Sequence, residues 1–289
     1  MRVLLTGGSG FVGSYVAEQL SELGHTVRAL VRPASDRRVL EKVRGLEFVI
    51  GAVEKADTLG DAVRGCDAVV HVAGLVKART PQEFFAVNTD GSKNLLEAAI
   101  AAGTVRRFVQ VSSLAAIGPS KDGQPVADGA RPGPVTHYGR SKLAGELAVL
   151  GAADKIPVTV IRPPLVYGPR DRETLAFFTA IEKGTLPILG DGGNTLSVIY
   201  GPDCAAAIVA AALSDGPSGK AYFVEDGKVY VWREALLDVE KALGKRAFLR
   251  TGVPIWALKV AAAGSGRVIR SQARFPIAAS TASNISRWV

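Results

Sequence analysis

Three side chains in this 289-residue sequence have the types and spacing for acid/base work on a carbonyl or an alcohol. Tyr138-Gly139-Arg140-Ser141-Lys142 sets a phenol and an ammonium four residues apart, on one face of a helix. Ser113 lies 25 residues upstream, just past the apolar run Phe108–Val111, and ligands of parallel sheets bind beyond the ends of strands. A cation beside the phenol lowers its pKa, so Tyr138 can exchange a proton with a substrate oxygen while Ser113 hydrogen-bonds the same atom.

A second pattern supplies a site for an anion. Thr6-Gly7-Gly8-Ser9-Gly10-Phe11-Val12-Gly13 follows the first apolar run, Val3–Leu5, and opens a helical period with Phe11 and Val12. Gly7 allows the sharp turn, Gly10 lets backbone approach a pyrophosphate, Gly13 lets helix pack on strand, and the helix N-terminus offers free N–H groups. This order of strand, turn and helix predicts dinucleotide binding. An acid closing the second strand would accept from a ribose 2′-OH, but Arg28-Ala29-Leu30-Val31-Arg32-Pro33 contains none before Asp36. Arg32 stands where a 2′-phosphate would lie and Arg37-Arg38 follow, which favours NADP(H) over NAD(H). A bound nicotinamide, positive when oxidised, would add to the lowering of the Tyr138 pKa.

The elements that must position these groups alternate. Short β-branched runs at Val3–Leu5, Val27–Val31, Phe48–Ile50, Ala68–Val72, Phe108–Val111 and Val158–Ile161 are separated by helical periods at Phe11–Leu23, Phe84–Ala102 and Tyr138–Leu150. Gly24, Gly103 and Gly151 stand where those helices should stop. The expectation is a doubly wound α/β Rossmann fold with a parallel sheet covered on both faces. Residues 1–170 form its core, with return elements about 198–225 that include a helix at Asp203–Leu213 and a strand at Tyr222–Val224. Residues 171–197 and 226–289 form a smaller substrate-binding lobe, with helices near Thr174–Lys183, Trp232–Leu243 and Pro254–Ala263 and a turn-rich stretch at Gly184–Thr195. The tail Ser271–Val289 has no clear period.

Composition is that of a globular chain, with 47% hydrophobic and 21% charged residues. The net charge of +8 is scattered, without a basic run carrying interleaved aromatics, which argues against a nucleic-acid partner. No apolar stretch is long enough for an integral membrane segment and no signal segment is visible, so a cytoplasmic protein is expected. Cys66 and Cys204 are no disulfide framework, and His25, His71 and His137 are too scattered for a metal site, so no metal is predicted.

Taken together, these motifs resemble the extended short-chain dehydrogenase/reductase superfamily over about residues 1–225. Thr6–Gly13 resembles its glycine-rich turn, His71-Val72-Ala73-Gly74 its fourth-strand motif, Asn88 its mid-helix asparagine, Ser113 with Tyr138 and Lys142 its catalytic set, and Arg162–Pro169 its loop after the sixth strand. The resemblance implies that Tyr138 is the acid/base and Lys142 also holds the nicotinamide ribose. It further implies that Val53 and the backbone around Ala73-Gly74 and Pro164 line the cofactor.

Departures narrow the substrate. Gly51-Ala52-Val53 replaces the family's Gly-Asp, removing a carboxylate contact to adenine. Leu165, Leu196 and Ile117 stand where nucleotide-sugar epimerases carry polar groups, and Leu165 is similar to the loop of dihydroflavonol and cinnamoyl-CoA reductases; 3β-hydroxysteroid dehydrogenase-like proteins share the plan. The expectation is therefore an NADP(H)-dependent reductase of a hydrophobic ketone or aldehyde, or the reverse alcohol oxidation, compatible with a homodimer. An NAD-dependent nucleotide-sugar epimerase/dehydratase is the alternative, and a non-catalytic dinucleotide-sensing regulator a third.

Overall fold

The computed structural model describes residues 1–120, 124–189 and 191–253. The expected helix near Pro254–Ala263 and the tail Ser271–Val289 lie outside them. Seven strands run parallel in one sheet: β1 (Arg2–Thr6), β2 (Thr26–Val31), β3 (Leu46–Ile50), β4 (Ala68–His71), β5 (Arg107–Val111), β6 (Val158–Arg162) and β11 (Lys220–Phe223). Their order is β11-β6-β5-β4-β1-β2-β3. Chain direction across the sheet reverses between β1 and β4, which opens a crevice at their carboxyl ends.

The inner strands are buried on both faces, as their near-continuous apolar runs require, while the edge strand β3 leaves Phe48 and Ile50 exposed. On one face α1 (Phe11–Glu22) and α7 (Gly201–Leu213) enclose a core that includes Leu5, Val16, Leu20, Val109 and Ile208. On the other, α2 (Leu59–Val63), α4 (Gly91–Ala102) and α5 (His137–Leu150) cover Leu4, Leu95, Phe108 and Val149. A separate apolar cluster holds α6 (Leu175–Glu182), β8 (Thr185–Leu189) and α8 (Trp232–Ala242) together through Ile181, Leu186, Trp232 and Leu236.

The sequence expectation needs three corrections. The single helix Phe84–Ala102 is instead α3 (Pro81–Phe85), a π-helical turn at Ala86–Asp90, and α4. Glycine at 91 is imposed by space, because a Cβ there would stand 2.6 Å from Val53 Cγ2. The stretch Gly184–Thr195 is not simply turns: β8 within it pairs in parallel with β13 (Leu249–Val253). The returning segment also adds more than a helix and a strand, since outside the main sheet β10 (Val198–Tyr200) pairs with β7 (Leu165–Tyr167), and just before it β9 (Thr195–Leu196) pairs with β12 (Tyr230–Val231).

Candidate active site

The turn after β1 is built by close backbone approach. Gly7 has a left-handed φ of +73°, and a Cβ on it would lie 2.6 Å from the Ala73 backbone nitrogen. A Cβ on Gly13 would lie 2.1 Å from the Gly7 carbonyl oxygen, so α1 can meet the turn only without a side chain there. The Gly10 N–H donates to the Gly7 carbonyl at 3.0 Å, and the first turn of α1 carries no acidic residue. Its remaining N–H groups suit a pyrophosphate.

Behind the turn runs a buried polar chain. Thr6 Oγ1 lies 2.7 Å from His71 Nδ1 and accepts from the Ala73 N–H, while His71 Nε2 lies 3.0 Å from Ser92 Oγ. Burial holds the His71 pKa down to about 3, so its imidazole is neutral. The π-helical turn places Asn88 between the loop after β4 and helix α5. Asn88 Oδ1 accepts from the Leu75 N–H at 2.8 Å, and its Nδ2 donates to the Leu75 carbonyl and to Ser141 Oγ.

Helix α5 begins where Thr136 Oγ1 accepts from the Gly139 N–H at 2.9 Å. A Cβ on Gly139 would meet the Ala115 carbonyl at 2.3 Å and one on Gly145 the Asn88 carbonyl at 2.3 Å. These two glycines bring α5 hard against the loop after β5 and against the π-helical turn. Ser113 and Tyr138 thereby come within hydrogen-bond reach. The half-buried Tyr138 ring also stands 6.1 Å from the Phe84 ring. Lys142 is buried, and its Nζ donates to the Val111 carbonyl at 2.5 Å.

In the protein alone the phenol pKa is raised, whereas the sequence expectation of a lowered phenol concerns the site with its nicotinamide bound. Burial raises the Tyr138 pKa and the Ser113 hydrogen bond offsets part of that rise. Burial also lowers Lys142 to about 8, against an opposing pull from the Glu146 carboxylate. Lys142 Nζ bonds a carbonyl in the protein alone, and the lowering expected at Tyr138 is that of Lys142 together with a bound, oxidised nicotinamide.

One cavity of about 650 Å³ joins the two halves of the site. Its lining includes Gly7, Gly10, Phe11, Val12, Gly13, Arg32, Val53, Ala73, Gly74 and Pro164 with Ser113, Tyr138 and Lys142, so the structure brings every sequence-expected site residue together. The glycine approaches and the buried, unpartnered Ser112 Oγ on the same wall fit an extended polar ligand such as a dinucleotide. Of the basic trio, only Arg32 lines the cavity; Arg37 lies over the Phe48 ring and Arg38 pairs with Asp36.

The substrate expectation is corrected in part. Leu165 lines the cavity, but Leu196 belongs to the lobe's apolar cluster and Ile117 packs with Leu114 and Phe223. Glu54, which sequence reasoning passed over, also lines the cavity two residues beyond the expected acid. At the mouth Lys77 pairs with Glu173, while Arg170 bonds Glu18 of α1 at 2.8 Å from a left-handed φ of +75°.

The model of the NAD dependent epimerase/dehydratase family matches residues 3–224. Ceramide reductase of Caulobacter vibrioides (strain NA1000 / CB15N) is 38% identical over 209 residues, covering 72% of this chain and 60% of that protein. The match thus spans less than two thirds of that relative's length. The 4-hydroxy-2-methyl-3-oxo-4-farnesyl-3,4-dihydroquinoline-1-oxide ketoreductase of Stigmatella aurantiaca is 30% identical over 287 residues, 96% of this chain and 84% of that protein. UDP-glucose 4-epimerase of Thermus thermophilus, solved with NAD, superposes with a TM-score of 0.82 at 27% identity, covering 100% of this chain and 94% of that one. Motifs, sheet order and family match agree, and the chain belongs to the NAD dependent epimerase/dehydratase family of the extended short-chain dehydrogenases/reductases.

Proposed function

We propose that this chain is an NADP(H)-dependent oxidoreductase that reduces a ketone or aldehyde of a hydrophobic small molecule, or oxidises the corresponding alcohol. The observation that carries the reading is a single cavity in which the glycine-rich turn and Arg32 share walls with Ser113, Tyr138 and Lys142. Gly7, Gly10 and Gly13 with the α1 N-terminus would hold the pyrophosphate, Arg32 the 2′-phosphate, and Val53 the adenine. Ala73, Gly74 and Pro164 would line the path to the nicotinamide. When bound, the nicotinamide supplies or accepts the hydride.

Tyr138 Oη then gives a proton to the substrate oxygen in reduction, or takes it in oxidation, and Ser113 Oγ donates a hydrogen bond to that oxygen. With the cofactor bound, the Lys142 ammonium would favour the phenolate jointly with an oxidised nicotinamide, and would hold ribose hydroxyls. Leu75, Val76, Val87, Leu165 and Val166 give the substrate end apolar walls, with Lys77 and Glu173 as a neutralised pair. Two relatives bearing reductase names support the direction. The lobe of residues 171–197 and 226–289 would close the substrate end.

The likeness to UDP-glucose 4-epimerase favours a second reading, an NAD-dependent nucleotide-sugar enzyme. A buried diphosphate requires compensating charge, and the Lys77 ammonium is already engaged by Glu173. The two readings separate when NADPH absorbance is followed with bulky apolar ketones while UDP-sugars are tested for thermal protection. Ketone-dependent NADPH loss is expected; protection by UDP-sugars at micromolar concentration, with ketones inert, would replace the first reading by the second.

A further inference from the structure

Beneath α5 lies a pair of charges that the proposed reaction does not use. Glu146, 1% exposed, sits one helical turn beyond Lys142. Arg162, which ends β6, donates from Nε to both carboxylate oxygens at 3.1 and 3.2 Å and again from Nη2. The guanidinium carbon lies 5.3 Å from the centre of the Phe223 ring of β11, and the Arg162 side chain is 12% exposed. Burying two charges forfeits hydration that their attraction only roughly returns, so apolar side chains would hold α5 to β6 about as well. The pair is a poor staple, and its distinction is its place.

That place is one helical turn from Lys142, close enough for the Glu146 carboxylate to act on the buried ammonium, which donates to the neutral Val111 carbonyl. Tyr138 and Glu146 lie one turn to either side of Lys142 on α5, Arg162 stands at the end of the neighbouring β6, and the neutral imidazole of His71 feels its charge from β4. From the loop after β5, Ser112 and Ser113 bring only hydroxyls. Glu146 is the one carboxylate in this set, and Arg162 fixes where its oxygens stand.

We propose that the buried Glu146–Arg162 ion pair is a positioning element of the Ser113–Tyr138–Lys142 site, with Glu146 the counter-charge that keeps the Lys142 ammonium protonated. This rests on the reading of Tyr138 and Lys142 as acid/base and electrostatic partner. Without Glu146 the ammonium would face only burial and a second cation, and would release its proton at lower pH. A neutral Lys142 no longer favours the phenolate, so turnover would fail earlier on the alkaline side.

The test reads the lysine directly. In protein labelled at lysine Cε with carbon-13, the resonance missing from Lys142→Arg reports Lys142 by NMR titration without cofactor. Its midpoint should lie near 8 in the parent and about one pH unit lower in Glu146→Gln, a size expected for loss of one nearby charge. The double variant Glu146→Leu/Arg162→Met replaces the pair by apolar contact. It should fold, keep the lowered midpoint and show a kcat profile cut short on the alkaline side. If Glu146→Gln does not fold, the double variant decides. A folded double variant with the parental midpoint and kcat profile, or one that cannot fold, overturns the proposal by making the pair structural. A parent without dinucleotide-dependent turnover undoes the functional reading instead, and the NMR midpoints still judge the ion pair.

Discussion

At the scale of residues, the site divides between groups that act and groups that hold. Tyr138 is assigned the proton, so Tyr138→Phe should lose turnover by 10²- to 10⁴-fold, the usual contribution of such a group, while dinucleotide affinity by calorimetry stays near parental. Retention of more than about a tenth of turnover would remove Tyr138 from that role. His71 makes a prediction about stability. Its folded pKa of about 3 lies below the ordinary 6.5, so on acidification the unfolded chain takes up a proton that the folded chain refuses. Stability is therefore intact above about 6.5 and falls by about 1.4 kcal/mol per pH unit down to about 3. Urea midpoints for His71→Asn should show a shallower slope across that window than the parent; equal slopes would contradict the neutral, buried imidazole. Ser113, Tyr138 and Lys142 were legible because their chemistry and spacing are local. The Glu146–Arg162 pair was not, since nothing in the sequence says that residues 16 apart share a buried pocket.

At the scale of elements, the turn after β1 was the most legible feature, because strand, glycines and helix follow one another without interruption. The structure adds the reason for each glycine as a distance, and those distances predict consequences. Gly13→Ala places a methyl where the Gly7 carbonyl oxygen already stands, so the turn must shift and dinucleotide affinity should fall by more than about tenfold, measurable by calorimetry. Parental affinity would show that the turn can yield without cost. The π-helical turn at Ala86–Asp90 escaped reading because its composition is that of an ordinary helix and only its packing against α5 sets it apart. Strand β8 was hidden because Thr185-Leu186-Pro187-Ile188-Leu189 contains a proline and follows Gly184, and its partner β13 lies about sixty residues away. Leu196 and Ile117 stand by resemblance where nucleotide-sugar epimerases carry polar groups, and the packing puts both in apolar clusters, which linear position cannot reveal.

At the scale of the whole molecule, the sheet's reversal point gathers loops from β1, β2, β3, β4, β5 and β6 about one cavity, and cofactor choice belongs to that assembly. With Arg38 tied to Asp36 and Arg37 over Phe48, Arg32 is the arginine of the three that lines the cavity, and the proposed preference for a 2′-phosphate rests on it. Arg32→Ala should narrow the NADPH-over-NADH affinity ratio by about ten- to a hundredfold, as expected for one hydrogen bond to a charged group. Tighter NADH than NADPH binding in the parent would reverse the assignment. The central claim is net hydride transfer between NADP(H) and an apolar carbonyl, and one measurement meets it directly: mass spectrometry of a bulky ketone incubated with the protein and NADPH deuterated at nicotinamide C4. The account predicts an alcohol that carries one deuterium for each NADPH consumed. Unlabelled ketone recovered unchanged, while UDP-sugars interconvert with no net loss of cofactor, would contradict it.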